Sequence, residues 1–231
     1  MMLRVERVTA GYGAVTVLRD VSLLAPAGEV TCIMGRNGAG KSTLMKCIMG
    51  LVAAQSGTIS VDGTAVQALP PHQVPMQGIA YVPQGRRLFG PMTVAENLDV
   101  GLLARGQSGT RERVLALFPR LRERLGQVSA TLSGGEQQML AIGRALCLEP
   151  SVLLMDEPTE GLQPSMIALI RDVVLRLAAQ GVAVVLVEQR VDAVLRMATS
   201  VAFMAHGTVQ DMAKSANLTP ASAQFKTFVG V

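Results

Sequence analysis

The sequence predicts an α/β fold: a largely parallel sheet covered on both faces, preceded by antiparallel strands and interrupted by a helical block. Three observations carry this expectation. Short apolar runs of strand length, "VTCIM", "SVLLMDE" and "VAVVLVEQ", each lead into a segment that reads as a helix, the alternation that builds parallel sheets. Ahead of them, "LRVERV" and "VSLLA" read as strands bounded by the turn Pro26-Ala27-Gly28. Between Gln84 and Pro150 the strand signals stop.

Taken in order, "VTCIM" runs into Gly35, and a helix is expected from Lys41 to Met49, where Gly50 ends it. "GTISVDG" and "GIAYVPQ" then read as strands bounded by Gly and Pro. In the middle block Val114, Leu117, Phe118, Leu121 and Leu125 recur at three- and four-residue steps and predict one amphipathic helix. Leu140, Ala141, Ala145 and Leu148 predict another. The strand "SVLLMDE" is followed by a helix after Pro164, the strand "VAVVLVEQ", a further helix, and a hairpin "VAFMAHGTVQ" turning at His206 and Gly207. His72 falls in a loop. With no internal repeat or linker, the expected organisation is a single domain, 1–231, in which 1–84 and 151–231 form the core and 85–150 the inserted helical part. The segment from Met212 to Val231 has no clear pattern.

Composition narrows the class. A chain of 231 residues, 49% hydrophobic and 16% charged, has the means to bury a core and is too apolar for disorder. Its longest strongly apolar run, "VAVVLV", is far shorter than the roughly 18–20 residues that span a bilayer. The N-terminus mixes charges with apolar residues, unlike a secretory signal, which implies the cytoplasm. Cys32, Cys47 and Cys147 have no metal-ligand spacing and read as buried, reduced thiols, and the thirteen methionines as pliable core filling. The net charge of +4 permits an acidic partner without requiring one. Arg105, Arg111, Arg113, Arg120, Arg122 and Arg124 stand against Glu112 and Glu123 and read as a solvated helix face, or else as a docking surface beside a membrane protein or lipid headgroups.

The chemistry sits in two motifs. "GRNGAGKS", Gly35 to Ser42, has the G-x-x-x-x-G-K-[ST] spacing of a phosphate-binding loop between a strand and a helix. Its glycines let successive N–H groups face the phosphates, Lys41 reaches the β and γ oxygens, and the Ser42 hydroxyl is placed for Mg²⁺. "VLLMDEP" supplies the acids: Asp156 ends an apolar strand and can hold the metal through water, and Glu157 can polarise the attacking water. A second candidate anion site, "TLSGGEQQML", places Ser133, Gly134 and Gly135 before a helical run. Spacing alone leaves open whether it faces this chain's own nucleotide or another.

At this point the sequence resembles the ATP-binding-cassette family across nearly its whole length. "LSGGEQQ" looks like the family signature, Gln84 in "YVPQGR" stands where a glutamine links the metal site to the helical part, and Tyr12 in "AGYGAV" where an aromatic ring stacks on adenine. The resemblance implies a P-loop NTPase core with a mixed sheet, an ATPase requiring ATP and Mg²⁺, and nucleotide contacts from Tyr12, Gly35, Asn37, Gly38, Ala39, Gly40, Lys41, Ser42 and Thr43. It implies metal contacts from Ser42, Gln84 and Asp156. It also implies a head-to-tail dimer in which Ser133, Gly134, Gly135 and Glu136 close over ATP held by the partner.

"DEPTEGLQP", "YVPQGR" and "LVEQR" are most similar to the smaller ATPase subunit of branched-chain amino-acid importers and of the similar urea and amide importers. Expected partners are then a second, non-identical ATPase subunit, two transmembrane permease subunits and, indirectly, a soluble substrate-binding protein. The expected location is the cytoplasmic face of the membrane. Gln189 replaces the family's usual His at the γ-phosphate, and Gln163 the usual Asp, which opens a further reading as a subunit of reduced turnover. A soluble cassette ATPase acting on nucleic acid or ribosomes is the alternative from another class. The compact interval between the two motifs and the scarcity of aromatics count against it, so no nucleic-acid partner is expected.

Overall fold

The computed structural model describes residues 2–105 and 107–230; Met1, Gly106 and Val231, which belong to the expected 1–231 domain, lie outside the described residues. Two sheets form. One is antiparallel, in the order β2 (Val15–Ala25), β1 (Leu3–Tyr12), β4 (Ala54–Val61), β5 (Thr64–Ala65). The other runs β10 (Thr208–Lys214), β9 (Ser200–Ala205), β3 (Val30–Met34), β8 (Ala183–Val187), β7 (Val152–Asp156), β6 (Ile79–Val82). From β9 to β6 every pairing is parallel, and β10 closes the edge as an antiparallel hairpin partner of β9.

Both faces of the larger sheet are covered, by different means. Cys32 and Met34 of β3, Leu153 and Met155 of β7 and Val184 and Leu186 of β8 point into one apolar core shared with the helices. The residues between them, Ile33, Leu154 and Val185, point into a second core against the antiparallel sheet and α1 (Lys41–Ile48). Strands buried on both faces are why these runs are continuously apolar. Sequence periodicity predicts the covering but not that a second sheet supplies much of it.

Between β6 and β7 lie α2 (Val94–Arg105), α3 (Thr110–Leu117), α4 (Pro119–Arg122) and α5 (Gly134–Leu146). The single helix expected through Val114–Leu125 is broken: Phe118 leaves helical geometry at φ −129°, ψ 72°, and Pro119 restarts the chain as α4. Proline restricts the residue before it to extended backbone. Val114, Phe118 and Leu121 are nevertheless buried in one core, so the apolar spacing serves both pieces. Leu148, expected in the second helix, lies beyond the end of α5.

The helix α2 escapes a periodicity reading because its apolar residues do not share a face; Val94 and Leu98 are buried while Leu103 is 84% exposed. A polar residue anchors it instead. Asn97, fully buried, accepts from Phe89 N–H at 3.1 Å and donates to the Phe89 and Thr93 carbonyls at 3.2 and 3.0 Å.

A reciprocal cap starts α5. Glu136 N–H donates to Ser133 Oγ at 3.4 Å, and Ser133 N–H and Oγ donate to Glu136 Oε2 at 2.9 and 2.7 Å. Four arginines of the basic cluster have acidic partners: Arg111 with Asp99, Arg113 with Glu149, Arg122 with Glu112 and Arg124 with Glu136. Three of these acids, Asp99, Glu136 and Glu149, precede or follow the cluster by more than a helical turn, which is why local counting overstates its charge.

At the C-terminus, Phe225–Val229 forms one π-helical turn that packs Phe225 edge-on and Phe228 stacked against Phe203 of β9. The three cysteines are free and buried; burial pushes the Cys47 thiol up to about 11. His206 forms the β9–β10 turn at φ 52°, and His72 is exposed in a turn, as their flanking residues predict.

Two outcomes are expected. A Cβ added at Gly101 would lie 2.2 Å from the Arg144 carbonyl of α5, so Gly101→Ala should lower the unfolding free energy in urea by about 1–3 kcal/mol; an unchanged midpoint would show that α2 and α5 separate without cost. The second concerns pH. Hydrogen bonding by the Ser133 hydroxyl, with smaller help from Arg124, lowers the Glu136 carboxyl from its ordinary 4.5. A carboxyl lowered in the folded state stabilises it fully above the ordinary value and progressively less as pH falls through the folded one. The urea-midpoint difference between wild type and Glu136→Gln should therefore be complete at pH 7 and shrink below pH 4.5; a difference constant to pH 3 would remove this assignment.

Candidate functional site

The ends of β3, β7 and β8 open onto a cleft of about 670 Å³ whose walls include Asn37 to Thr43, Gln84, Glu157, Glu160 and Gln189. One wall is the loop from Gly35 into α1. Gly40 precedes the helix at φ 104°, a left-handed conformation in which a Cβ would also approach Leu18 to 3.0 Å. Lys41, the first residue of α1, is buried, and its Nζ donates to the Gly35 and Arg36 carbonyls at 2.6 and 3.0 Å. Burial lowers its pKa, while the charges of Glu157 and Asp156 act in the opposite direction. Ser42 and Thr43 follow on the same turn and face the cleft.

Asp156 ends β7 and is 2% exposed. Its Oδ2 accepts the Tyr81 hydroxyl at 3.3 Å, whereas its Oδ1 is buried with no hydrogen-bond partner among the described residues. A buried carboxylate oxygen without a partner is costly unless a cation or water meets it, and carboxylate and hydroxyl oxygens are the donors a hard divalent cation prefers. The oxygen donors offered here, the Asp156 carboxylate at the end of β7 and the Ser42 hydroxyl facing the cleft from α1, therefore fit Mg²⁺ by their chemistry. Burial, then the Asp156 charge and hydrogen bond, then Tyr12, push the Tyr81 phenol well above its usual value. Tyr81 stays a donor at every physiological pH.

Glu157 begins the loop after β7 with φ 50°, a strained conformation for a non-glycine residue, and its N–H donates to the Val187 carbonyl of β8 at 3.0 Å. Two amides hold its carboxylate. Gln84 Nε2 donates to Oε2 at 3.2 Å and Gln189 Nε2 to Oε1 at 2.5 Å. Gln189 also donates to Asn37 Oδ1 at 3.2 Å, tying the Glu157 side chain to the phosphate loop. Gln84 further donates to Glu160 Oε2 at 3.1 Å.

Ser133 to Glu136 do not line this cleft. They form the start of α5, where a Cβ at Gly134 would lie 3.0 Å from the Arg86 guanidinium and one at Gly135 3.0 Å from Met166 of α6 (Pro164–Ala179). Arg86 Nη1 donates to Gln137 Oε1 at 3.0 Å, so the loop carrying Gln84 touches α5 directly. Tyr12, ending β1, is 48% exposed and is not packed into the strand end.

Four further residues join the site without a motif to announce them: Tyr81 on Asp156, Glu160 on Gln84, and the buried pair Thr159 and Glu188, whose side chains hydrogen-bond each other. Their sequence signal is only adjacency, since each lies within three residues of Gln84, Glu157 or Gln189.

Comparison with known proteins places this geometry. The family model for ABC transporters matches residues 18–160. The high-affinity branched-chain amino acid transport ATP-binding protein BraG of Pseudomonas aeruginosa is 42% identical over 90% of this chain and 91% of its own. A probable branched-chain amino acid transport ATP-binding protein, LivF of Archaeoglobus fulgidus, is 37% identical over 90% of each. Among solved structures, the dimeric bacterial ABC transporter cassette MJ0796 superposes with a TM-score of 0.83 at 26% identity, covering 94% of this chain and 100% of its own. A family model spanning more than half of the sequence, and relatives of matching length at this identity, establish that the chain belongs to the ABC transporter family as one of its ATP-binding, ATP-hydrolysing subunits.

Proposed function

We propose that this ATPase powers an importer of branched-chain amino acids, with Glu157 as the residue that activates water. The observation that supports the catalytic reading most is the Glu157 carboxylate held between the Gln84 and Gln189 amides at the mouth of the phosphate loop. A base fixed at both oxygens is oriented toward the cleft rather than free to fold back on Lys41. The solute is read from the likeness to BraG and LivF, both named for branched-chain amino acid transport.

In this reading Gly35, Asn37, Gly38, Ala39, Gly40 and Thr43 cradle the phosphates through the loop and the helix start, and Lys41 turns from the loop carbonyls to the β and γ oxygens. Ser42, Asp156 and Gln84 hold Mg²⁺, which when bound neutralises charge on the phosphates. Tyr81 fixes the Asp156 carboxylate by taking one of its oxygens. Gln189 donates to a phosphate oxygen without bringing a positive charge. Tyr12 offers its exposed ring to adenine.

Ser133 to Glu136, lying outside this cleft, would meet the nucleotide of a second ATPase subunit packed head to tail; a related cassette is dimeric. Residues 1–84 and 151–231 act as the nucleotide core and 85–150 as the part that relays its state to two membrane permease subunits, with a soluble binding protein delivering solute. Among the described residues no helix is long and apolar enough to cross a membrane, and the subunit is placed peripherally on the cytoplasmic face through its partners.

Replacing Glu157 by Gln keeps the side chain's size and the cleft while removing the base; one of the two accepted hydrogen bonds is lost, because an amide NH2 cannot accept. The Glu157→Gln protein is expected to bind ATP as wild type does and to lose at least about tenfold in turnover, within the usual size of a general-base contribution. Undiminished turnover would take Glu157 out of this role.

A further inference from the structure

Beside the cleft lies a fourth carboxylate whose hydrogen bonds, among the described residues, do not reach the phosphate loop. Glu188 follows β8 directly and is 3% exposed. Its Oε1 accepts the hydroxyl of Thr159, itself 1% exposed. Its Oε2 accepts the N–H groups of Gln189 at 2.8 Å and Arg190 at 3.2 Å, and its own N–H donates to the Ile33 carbonyl of β3 at 3.3 Å. Among the described residues it has no salt-bridge partner. A buried carboxylate is tolerated only when hydrogen bonds replace its hydration, and three donors do so here.

What those donors belong to gives the arrangement meaning. Thr159 lies two residues after Glu157; Gln189 lies one residue after Glu188. The carboxylate thus grips the loop carrying Glu157 and the turn carrying Gln189, the two segments whose side chains meet at 2.5 Å above the cleft. Neither main-chain contact caps α7 (Val191–Met197), because both N–H groups precede its first residue. The contact to Thr159 adds nothing to that helix and crosses to the other loop.

We infer that Glu188 is a positioning residue: through Thr159 and the Gln189 and Arg190 amides it fixes Gln189 against Glu157, so that the two side chains present to the nucleotide as one unit. The inference rests on Glu157 being the water-activating residue. It assigns no proton transfer to Glu188, which stays an acceptor throughout.

The test is a double-mutant cycle in single-turnover ATP cleavage, which remains measurable when steady-state turnover is low. Thr159→Val removes the hydroxyl and keeps the shape. It is expected to slow cleavage about tenfold, the scale of one hydrogen bond to a charged group, with ATP affinity within about twofold of wild type because the phosphate loop is untouched. Thr159→Ser, which restores the hydroxyl, should recover most of the rate. In a Gln189→Ala background, Thr159→Val should add less than about twofold, because the contact acts through Gln189. Glu188→Gln tests the same tie from the other side, and if it fails to fold the Thr159 pair decides alone. Wild-type cleavage in Thr159→Val, or the same fractional loss with and without Gln189, would overturn the inference in favour of a purely structural contact. Failure of the underlying reading looks different: cleavage would then survive Glu157→Gln whatever stands at 159.

Discussion

Parallel pairing of β7 with β8 is the constraint on which the site depends. Asp156 lies opposite Val187 in that register, so the chain leaves both strands at the same height. Glu157 and Thr159 emerge from one strand and Glu188 and Gln189 from its neighbour, at strand-to-strand spacing. The main-chain bond from Glu157 to Val187 seals the exit, and β3, paired on the other side of β8, delivers Gly35 to the same edge. Slipping β7 by one residue would turn Asp156 to the opposite face of the sheet. Continuous burial of Val152 to Met155 and Ala183 to Val187 in two cores prevents that slip.

Charge at this edge is one-sided. Asp156, Glu157, Glu160 and Glu188 gather there, and Lys41 is the cation whose titration responds to Glu157 and Asp156. Each acid is managed differently. Asp156 gives one oxygen to Tyr81 and leaves the other bare, Glu157 is held by amides, and Glu188 accepts from a hydroxyl and two main-chain N–H groups. An edge built from acids, with glycine-rich backbone opposite, is arranged to take a metal together with phosphates rather than either separately.

The legible parts of the sequence are those whose cause is local. Gly35 to Ser42 can be read because strand, loop and helix are contiguous, and the cap of α5 because Ser133 and Glu136 are three residues apart. The parallel strands are legible from their unbroken apolar runs. The break at Phe118 has a local signal as well, Pro119, whose restriction of the preceding backbone overrides the helical spacing of the apolar residues. What cannot be read is what register creates. Nothing in the chain joins Gln189 to Glu157 across 32 residues, or Gln84 to Glu160 across 76. Likewise α2 hides because a buried asparagine rather than an apolar stripe anchors it, and the C-terminal turn because its two phenylalanines have meaning only against Phe203.

The central claim is that the ends of β3, β7 and β8 form one site for a metal-bound nucleotide, with the bare oxygen of Asp156 as its metal anchor. Calorimetric titration of ATP with Mg²⁺ and with a chelator, on wild type and on Asp156→Ala, tests it most directly and needs no turnover. Wild type is expected to bind more tightly with Mg²⁺, and Asp156→Ala to lose that difference while keeping the chelator-condition affinity supplied by the phosphate loop. A variant that retains the full metal dependence would contradict the account.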